Sequence, residues 1–301
     1  MLTGIIFGLI TAVTIGVNHL LTAVVARRFG VLRSTTATLA LALVAMVAWA
    51  LLIGSPFEIT RDQLVLLAYL GTCAGGAFLC GYMALRLGPI SVVSPIGALS
   101  GAMTVVFSFW MLGERPGIVQ WAGIPIAVVG AVLASLVIER GAKIRLVTWG
   151  PVFAMISVVV GSISNAGLKI PIRDGLDSNI TVITQRVYTV AYVALLLVIV
   201  SRVVEQRRRR GDPRYQGSDQ VKITWRTGWL LVVVGLIDAV SFISFGYGLA
   251  YAPAWLIGII SQSGRVIAVI GGVMFFHERL HHLQWAGVAL VTVGVAMSIA
   301  G

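Results

Sequence analysis

Charged residues are scarce in this chain, since only 11% of its 301 residues are Asp, Glu, Lys or Arg, whereas 58% are apolar. The mean hydropathy is +0.97. A water-soluble protein could not cover so much apolar surface with so little charge, so a soluble fold is excluded. The composition predicts an integral membrane protein.

Cysteine is almost absent as well, with Cys73 and Cys80 as the only two residues of this type. They lie seven positions apart on one face of an apolar run, where we expect them to behave as small apolar side chains. This scarcity excludes a disulfide framework and a cysteine-based metal site.

Phosphate-binding signatures are also missing. No glycine-rich loop follows a strand, and no polar stretch is long enough to fold as a nucleotide-binding domain. ATP therefore cannot drive a process through this polypeptide alone, and we expect no bound cofactor.

What the chain does contain is ten apolar runs of about 20 residues, each able to cross ~30 Å of hydrocarbon as a helix. These predicted spans 1 to 10 cover approximately residues 2–26, 34–53, 63–85, 90–111, 119–138, 149–170, 180–200, 229–251, 254–276 and 285–300. The sequence thus predicts an all-α integral membrane protein of ten transmembrane helices, multi-pass in the cell (inner) membrane.

Part of the chain is repeated at an offset of 164 positions. Residues identical in the two copies include Pro89, Glu114, Arg115, Gln120, Trp121, Ala122, Gly123 and Gly130, matched by Pro253, Glu278, Arg279, Gln284, Trp285, Ala286, Gly287 and Gly294. Each copy predicts two apolar helices joined by a Glu-Arg elbow. We expect the glutamate to cap the helix that follows it, span 5 or span 10.

The repeat extends to the start of the chain, where Asn18 in span 1 matches Asn165 in span 6 at an offset of 147 positions. The offset is larger later in the chain mostly because of the long basic loop after span 7. The sequence therefore divides into two halves, 1–140 and 146–301, with a polybasic loop at 201–228 in the second half. Five spans in each half is an odd number, so the halves must cross the membrane in opposite orientations. Such an inverted repeat surrounds a central cavity that opens alternately to either side, which indicates transport.

The repeated pattern resembles the EamA family of the drug/metabolite transporter superfamily. The resemblance rests on the Tyr82–Pro89 stretch, the Gly113-Glu114-Arg115 elbow and the Gln120–Gly123 opening of span 5, with their second-half copies. It implies ten helices around a cavity lined by both halves, alternating access, and small metabolites or drugs as cargo. It also implies cytoplasmic termini, which the charge distribution contradicts.

Many of the basic residues behind the net charge of +11 fall in one loop, since eight of the 22 lie between Arg202 and Arg226. Such a segment binds anionic lipid, here at Arg207, Arg208, Arg209 and Arg210, rather than nucleic acid. The links after odd-numbered spans hold 16 Lys or Arg and the opposite side holds four. The positive-inside rule then places both termini outside the cytoplasm.

Ionisable groups deep in the membrane are the first candidates for a substrate site, because each is costly there unless it meets a partner or water. Asp238 in span 8 and Arg265 in span 9 are the clearest, and Gly101 holds the position of Arg265 in the first half. They either form an ion pair that locks two spans, or Arg265 binds an anionic group of the cargo while Asp238 orients it or takes a proton.

The other candidates for substrate binding are polar residues within apolar spans. They are Asn18, His19, Tyr82, Ser94, Asn165, Arg186, Tyr247 and Gln262. Arg186 either faces the cavity or extends to the interface, and His19 either titrates with a proton gradient or bonds a neighbouring helix. The repeat mates Tyr82 and Tyr247 either close the cavity or belong to the interfacial belt.

One stretch, His277-Glu278-Arg279-Leu280-His281, matches the HExxH zinc signature of metalloproteases. The first copy of the elbow, Gly113 to Gly117, has neither histidine, and the stretch joins two spans. We therefore predict that the protein is not an enzyme, with a membrane metalloenzyme as an alternative.

Taken together, the sequence predicts a secondary transporter of a small metabolite, such as an amino acid or another carboxylate, that works by alternating access. A broad drug or toxic-metabolite exporter and a helical scaffold are the alternatives. Cargo, direction of flux, proton coupling versus exchange or facilitated diffusion, the orientation of the termini and the oligomeric state are left open.

Overall fold

The computed structural model describes residues 1–115, 117–135, 149–209, 225–276 and 282–300. Every element in these ranges is a helix. The helices are α1 (Leu2–Phe29), α2 (Val31–Ile53), α3 (Arg61–Leu87), α4 (Ile90–Leu112), α5 (Ile118–Ser135), α6 (Trp149–Gly167), α7 (Lys169–Arg173), α8 (Ser178–Arg209), α9 (Trp225–Tyr251), α10 (Ala254–Ser263), α11 (Arg265–Phe276) and α12 (His282–Ala300).

Eight stretches of the described chain are long and apolar enough to cross a membrane. They correspond to predicted spans 1 to 4 and 6 to 9. The helices predicted as spans 5 and 10, α5 and α12, have 18 and 19 described residues and pack against each other. The apolar part of α12, Trp285–Gly294, falls short of a span. The described residues thus form an all-helical, multi-pass membrane fold.

The link between α1 and α2 is shorter than the sequence predicts, because a single residue, Gly30, separates the two helices. Its backbone has φ 79° and ψ 154°, a region that only glycine occupies readily. Glycine therefore lets the chain reverse between two long helices without an intervening loop.

The predicted polybasic loop begins later than expected, since α8 continues to Arg209 rather than ending near Val200. Arginine, glutamate and glutamine are good helix formers. The Arg209 Nε also lies 2.8 Å from Glu205 Oε1, one turn earlier. The prediction of a loop over 201–209 was therefore wrong, while Arg210 lies outside the described residues.

Small residues on α1 allow close contact with the second half of the chain. A Cβ atom at Gly16 would lie 2.3 Å from the Gly264 carbonyl oxygen, and one at Gly4 would lie 2.7 Å from the Ala252 side chain. Gly264 in turn packs against the backbone of Ala12. The helices approach at backbone distance, as expected for small residues spaced by four.

Span 9 is interrupted at Gly264, where α10 ends and α11 begins. The interruption is local, because Gly264 keeps helical backbone angles (φ −59°, ψ −18°), and it makes Arg265 the first residue of α11. The sequence did not predict it, because Ser263-Gly264 lies within an uninterrupted apolar run.

The elbow glutamate caps a different helix from the one expected. The two carboxylate oxygens of Glu114 accept hydrogen bonds from the backbone N–H groups of Ala254 and Trp255, at 3.1 and 3.2 Å. Glu114 therefore caps the start of α10 in the opposite half, not the start of α5. Its repeat mate Glu278 lies outside the described residues.

Candidate functional site

A cavity of about 170 Å³ lies between six of the predicted spans, three from each half. Its walls come from α1, α3 and α4 and from α6, α9 and the α10–α11 pair. A cavity needs ~10–15 Å³ of space to hold one water molecule, so this one has room for roughly ten waters or for one small metabolite.

Seven of the ten candidate residues line this cavity. They are Asn18, His19, Tyr82, Asn165, Asp238, Gln262 and Arg265. Ser94, Arg186 and Tyr247 lie outside the lining. The structure thus brings most of the candidates, which are spread over more than 240 positions of the chain, to one place.

Asp238 forms an ion pair with Arg186, and not with Arg265 as one interpretation of the sequence expected. Its Oδ2 lies 2.9 Å from Nη2 of Arg186, and the two side chains are only 7% and 1% exposed. Its Oδ1 accepts a hydrogen bond from Asn18 Nδ2 at 3.4 Å. Oδ1 of this carboxylate therefore has a hydrogen-bond partner, whereas Oδ2 has the charge contact with Arg186 and no hydrogen bond.

Arg186 lies behind the cavity wall, against two aromatic rings. Its guanidinium carbon is 3.8 Å from the ring centroid of Phe242 and 4.9 Å from that of Phe78. Desolvated cation–π contacts of this kind contribute about 2 kcal/mol. Both rings also line the cavity, as Asp238 does, whereas Arg186 is not among the lining residues.

Arg265 has no carboxylate partner among the residues that the structure describes. Its Nη1 lies against the backbone of Gly97 on α4, where an added Cβ would come within 1.4 Å. Its Nε is buried and has no hydrogen-bond partner. Gly97 thus makes room for a guanidinium that lines the cavity without a carboxylate from the described part of the chain.

Apart from Asp238 Oδ2, which has its charge contact with Arg186, three further buried polar atoms of the lining lack a hydrogen-bond partner: His19 Nδ1, Ser100 Oγ and Gln262 Oε1. Buried polar groups in proteins are nearly always satisfied, by protein or by water. Together with Arg265 Nε, these atoms come from α1, α4, α10 and α11. Such a cluster is suited to a polar ligand that completes its hydrogen bonds.

The repeat mates Tyr82 and Tyr247 have similar structural roles but different access to the cavity. The Tyr82 hydroxyl is 2.7 Å from Thr38 Oγ1 on α2. The Tyr247 hydroxyl accepts a hydrogen bond from Asn179 Nδ2 on α8 at 3.0 Å. Each tyrosine thus joins the third predicted span of its half to the second, and only Tyr82 reaches the cavity.

Ser94 is fully buried within α4, with its Oγ unpaired and outside the cavity lining. Small residues surround it on α4, such as Gly97 and Ala98, and they suit a helix packed closely against its neighbours. Its position lends no support to a contact with a ligand.

Several lining residues were not selected from the sequence. They include Thr11, Thr22, Phe78, Ser157, Ser164, Ser241, Phe242 and Phe245. Thr11 and Thr22 share a helix face with Asn18 through spacings of seven and four, and Thr22 donates a hydrogen bond to Asn18 Oδ1 at 3.1 Å. The helical period around Asn18 was the signal that could have identified them.

The HExxH stretch, 277–281, lies outside the described residues. Within the ranges that the structure does describe, no three His, Cys, Asp or Glu side chains are grouped as metal ligands.

Comparisons with known proteins agree with this architecture. A model of the EamA-like transporter family matches residues 2–136 and 148–300. A relative from Sinorhizobium sp, named "Uncharacterized transporter in cobO 3'region", is 32% identical over 81 residues, or 27% of this chain and 57% of that protein. The chain therefore covers little more than half of that relative.

A solved structure described only as "Crystal structure of protein" has the same fold. It superposes with a TM-score of 0.65 at 18% identity, over 98% of this chain and 94% of its own.

Proposed function

This chain belongs to the EamA-like transporter family, and from that premise we propose that it is a secondary transporter of a small metabolite with an anionic group. The cargo binds in the cavity and is released to either side by alternating access. The protein acts in the inner membrane, with the cargo's own gradient, a counter-substrate or a coupled proton as the driving force.

The observation that carries this proposal is the position of Arg265 at the cavity without a carboxylate partner among the described residues. Its guanidinium faces a cavity large enough for a small metabolite, and no described carboxylate pairs with it. A charged group at membrane depth is costly unless it is compensated. A bound anion supplies that compensation, whereas the other deep arginine, Arg186, already has Asp238.

Alternating access follows if the chain is an inverted repeat of ten spans, and the helix packing supports that arrangement. Contacts between the halves occur in matched pairs, since α3 packs on α6 as α1 packs on α9, and α3 packs on α8 as α2 packs on α9. The repeat mates of α1, α2 and α3 are α6, α8 and α9. Replacing each helix by its mate converts one contact of a pair into the other, as an inverted repeat requires.

Two basic side chains provide a further match between the halves. Arg27 at the end of α1 donates to the Gly88 carbonyl oxygen, 3.0 Å away, just after α3. Lys169, just after α6, donates to carbonyl oxygens at the end of α9, those of Leu249 and of Ala252, the latter 3.1 Å away. Equivalent corners of the two halves are thus held in the same way.

Anionic lipid is the proposed partner of the basic end of α8. Arg207 and Arg209 lie in its last turn, next to Arg208 and Arg210 in the sequence. Each basic residue near an anionic surface contributes about 1 kcal/mol of attraction. This segment would lie on the cytoplasmic face.

The test is transport by purified protein in liposomes, after a thermal-shift screen of small anions to identify a ligand. We expect Arg265→Ala to abolish both the thermal shift and the flux, and Arg265→Lys to retain part of each because the charge is kept. Arg173→Ala, which removes an arginine that is 55% exposed, is the matched control. Equal flux in wild-type protein and Arg265→Ala would refute the proposal.

A further inference from the structure

The charges around the cavity define the cargo more narrowly. We propose that it is a small monocarboxylate with neutral hydrogen-bonding groups, such as a 2-hydroxy acid, rather than a zwitterionic amino acid. This inference rests on the proposed transport function.

The first step is the balance of charge. Asp238 and Arg265 are the carboxylate and the guanidinium of the described lining, and Arg186 lies directly behind Asp238. Because Asp238 and Arg186 compensate each other, one positive charge is left, on Arg265. A ligand with a single negative charge neutralises the site, while a zwitterion leaves it positive.

The second step concerns the position an ammonium group would need. Asp238 is the one described carboxylate in the lining; its charge is compensated by Arg186, 2.9 Å from Oδ2, and its Oδ1 accepts a hydrogen bond from Asn18 at 3.4 Å. An ammonium that approached it would lie close to the Arg186 guanidinium, with Arg265 in the same cavity. Like charges brought together in a desolvated site repel strongly.

The third step identifies groups that suit a hydroxyl. Gln262 Oε1 is a buried acceptor without a partner, and Ser100 Oγ and His19 Nδ1 are also unsatisfied. All three line the cavity together with Arg265. A ligand carboxylate would pair with Arg265, and a neighbouring ligand hydroxyl would donate a hydrogen bond to Gln262 Oε1. The hydroxyl is neutral, so the ligand keeps its single negative charge.

L-lactate and L-alanine are matched probes, because they differ only in a hydroxyl in place of an ammonium. Radiolabelled uptake of each is measured in proteoliposomes preloaded with the same unlabelled compound, at neutral pH. The membrane potential is clamped at zero, so that the net charge of lactate does not alter its driving force. We expect lactate to exceed alanine by at least about tenfold, and propionate, which lacks the hydroxyl, to fall between them.

Two variants separate charge from shape. In Arg186→Gln the Asp238 carboxylate loses its counter-charge, so the lactate-to-alanine ratio should fall by at least about tenfold. In the double variant Arg186→Gln/Asp238→Asn the cavity regains its net charge, and the ratio should return to within about threefold of wild type. Arg173→Gln is the control and should leave the ratio unchanged.

The outcomes are distinct from those that test the proposed function. Equal uptake of lactate and alanine, with both lost in Arg265→Ala, would overturn the monocarboxylate inference and leave the anion transporter intact. Failure of lactate to enter at all would overturn it too, and the wider anion screen would then decide the proposed function. If Arg186→Gln does not fold, a double variant that prefers alanine is the result that contradicts the charge argument.

Discussion

The buried charges Arg186 and Asp238 are stable only as a pair. Removing one partner leaves the other uncompensated in the protein interior, which typically costs 3–5 kcal/mol. Removing both together leaves two neutral side chains, which costs much less. We therefore expect Arg186→Gln to lower the melting temperature further than Arg186→Gln/Asp238→Asn does.

The eight tryptophans of the chain allow this to be measured by intrinsic fluorescence in detergent. Arg173→Gln, at a pair that is more than half exposed and 3.8 Å apart, should change the melting temperature little. If the double variant melts at the same temperature as the single one, then packing of the two side chains, and not the attraction between their charges, accounts for the stability.

Gly264 is the residue at which added volume should be tolerated least. A Cβ there would lie 1.7 Å from the carbonyl oxygen of Ala12, and a backbone atom cannot rotate away as a flexible side chain can. Overpacking of this kind costs about 1–3 kcal/mol or more. Gly264→Ala should therefore lower the thermal stability and shift the α10–α11 break.

Gly76→Ala is the matched control, because nothing lies within 4 Å of a Cβ added at that helical position. Alanine also favours a helix over glycine by up to about 1 kcal/mol. The control should be neutral or stabilising, and equal losses in the two variants would contradict the proposed close packing of α1 on span 9.

Individual site residues were predictable from sequence to different degrees. Arg265 was identified because its repeat mate is Gly101, so its charge could not belong to the shared fold. The partner of Asp238 was not predictable, because which helices adjoin is a tertiary property. Arg186, six residues into its span, looks in sequence like a side chain that extends to the interface, whereas it is fully buried.

Between elements, the elbow of the first half supports a helix of the second. Both oxygens of Glu114 bind backbone N–H groups at the start of α10, which carries Gln262 into the cavity. Loss of a helix cap usually costs about 1 kcal/mol. We expect Glu114→Ala to lower the free energy of unfolding by about this much, which is measured as a lower melting temperature. The variant should also bind ligand more weakly, because the start of α10 is no longer fixed.

The matched control for this element is Glu58→Ala, which removes an exposed glutamate outside the helices. If Glu114→Ala behaves like Glu58→Ala in both stability and binding, the cap has no energetic role. Glu114→Gln should be intermediate, since the amide oxygen can still accept one of the two hydrogen bonds.

Helices were predicted well where length and hydropathy decide, and poorly where packing or polar propensity decides. Runs of about 20 apolar residues marked the cores of spans 1 to 4 and 6 to 9. The interruption at Gly264 lies where that residue packs against the backbone of Ala12, a tertiary contact that no local pattern records. The continuation of α8 through Arg209 follows from helix propensity and the Glu205–Arg209 pair in a segment that its charge marked as a loop.

At the scale of the whole molecule, the untested prediction is how many helices cross the membrane and in which direction each half runs. α5 and α12 pack against each other, and their described lengths of 18 and 19 residues allow about 27 Å each as helices. If both cross the membrane, the halves are inverted; the positive-inside rule then predicts that both termini lie outside, whereas the family resemblance implies cytoplasmic termini. If neither crosses, the orientation of the halves is no longer opposite.

Cysteine labelling can distinguish these cases, because the chain has only Cys73 and Cys80 to remove. In a background of Cys73→Ser and Cys80→Ser, single cysteines are placed at Gly117 before α5 and at Ala142 beyond it. A membrane-impermeant maleimide applied to intact cells should label Gly117→Cys, whereas Ala142→Cys should require permeabilisation. Labelling of both positions from the same side would show that α5 does not cross, and would remove the inverted repeat on which alternating access depends.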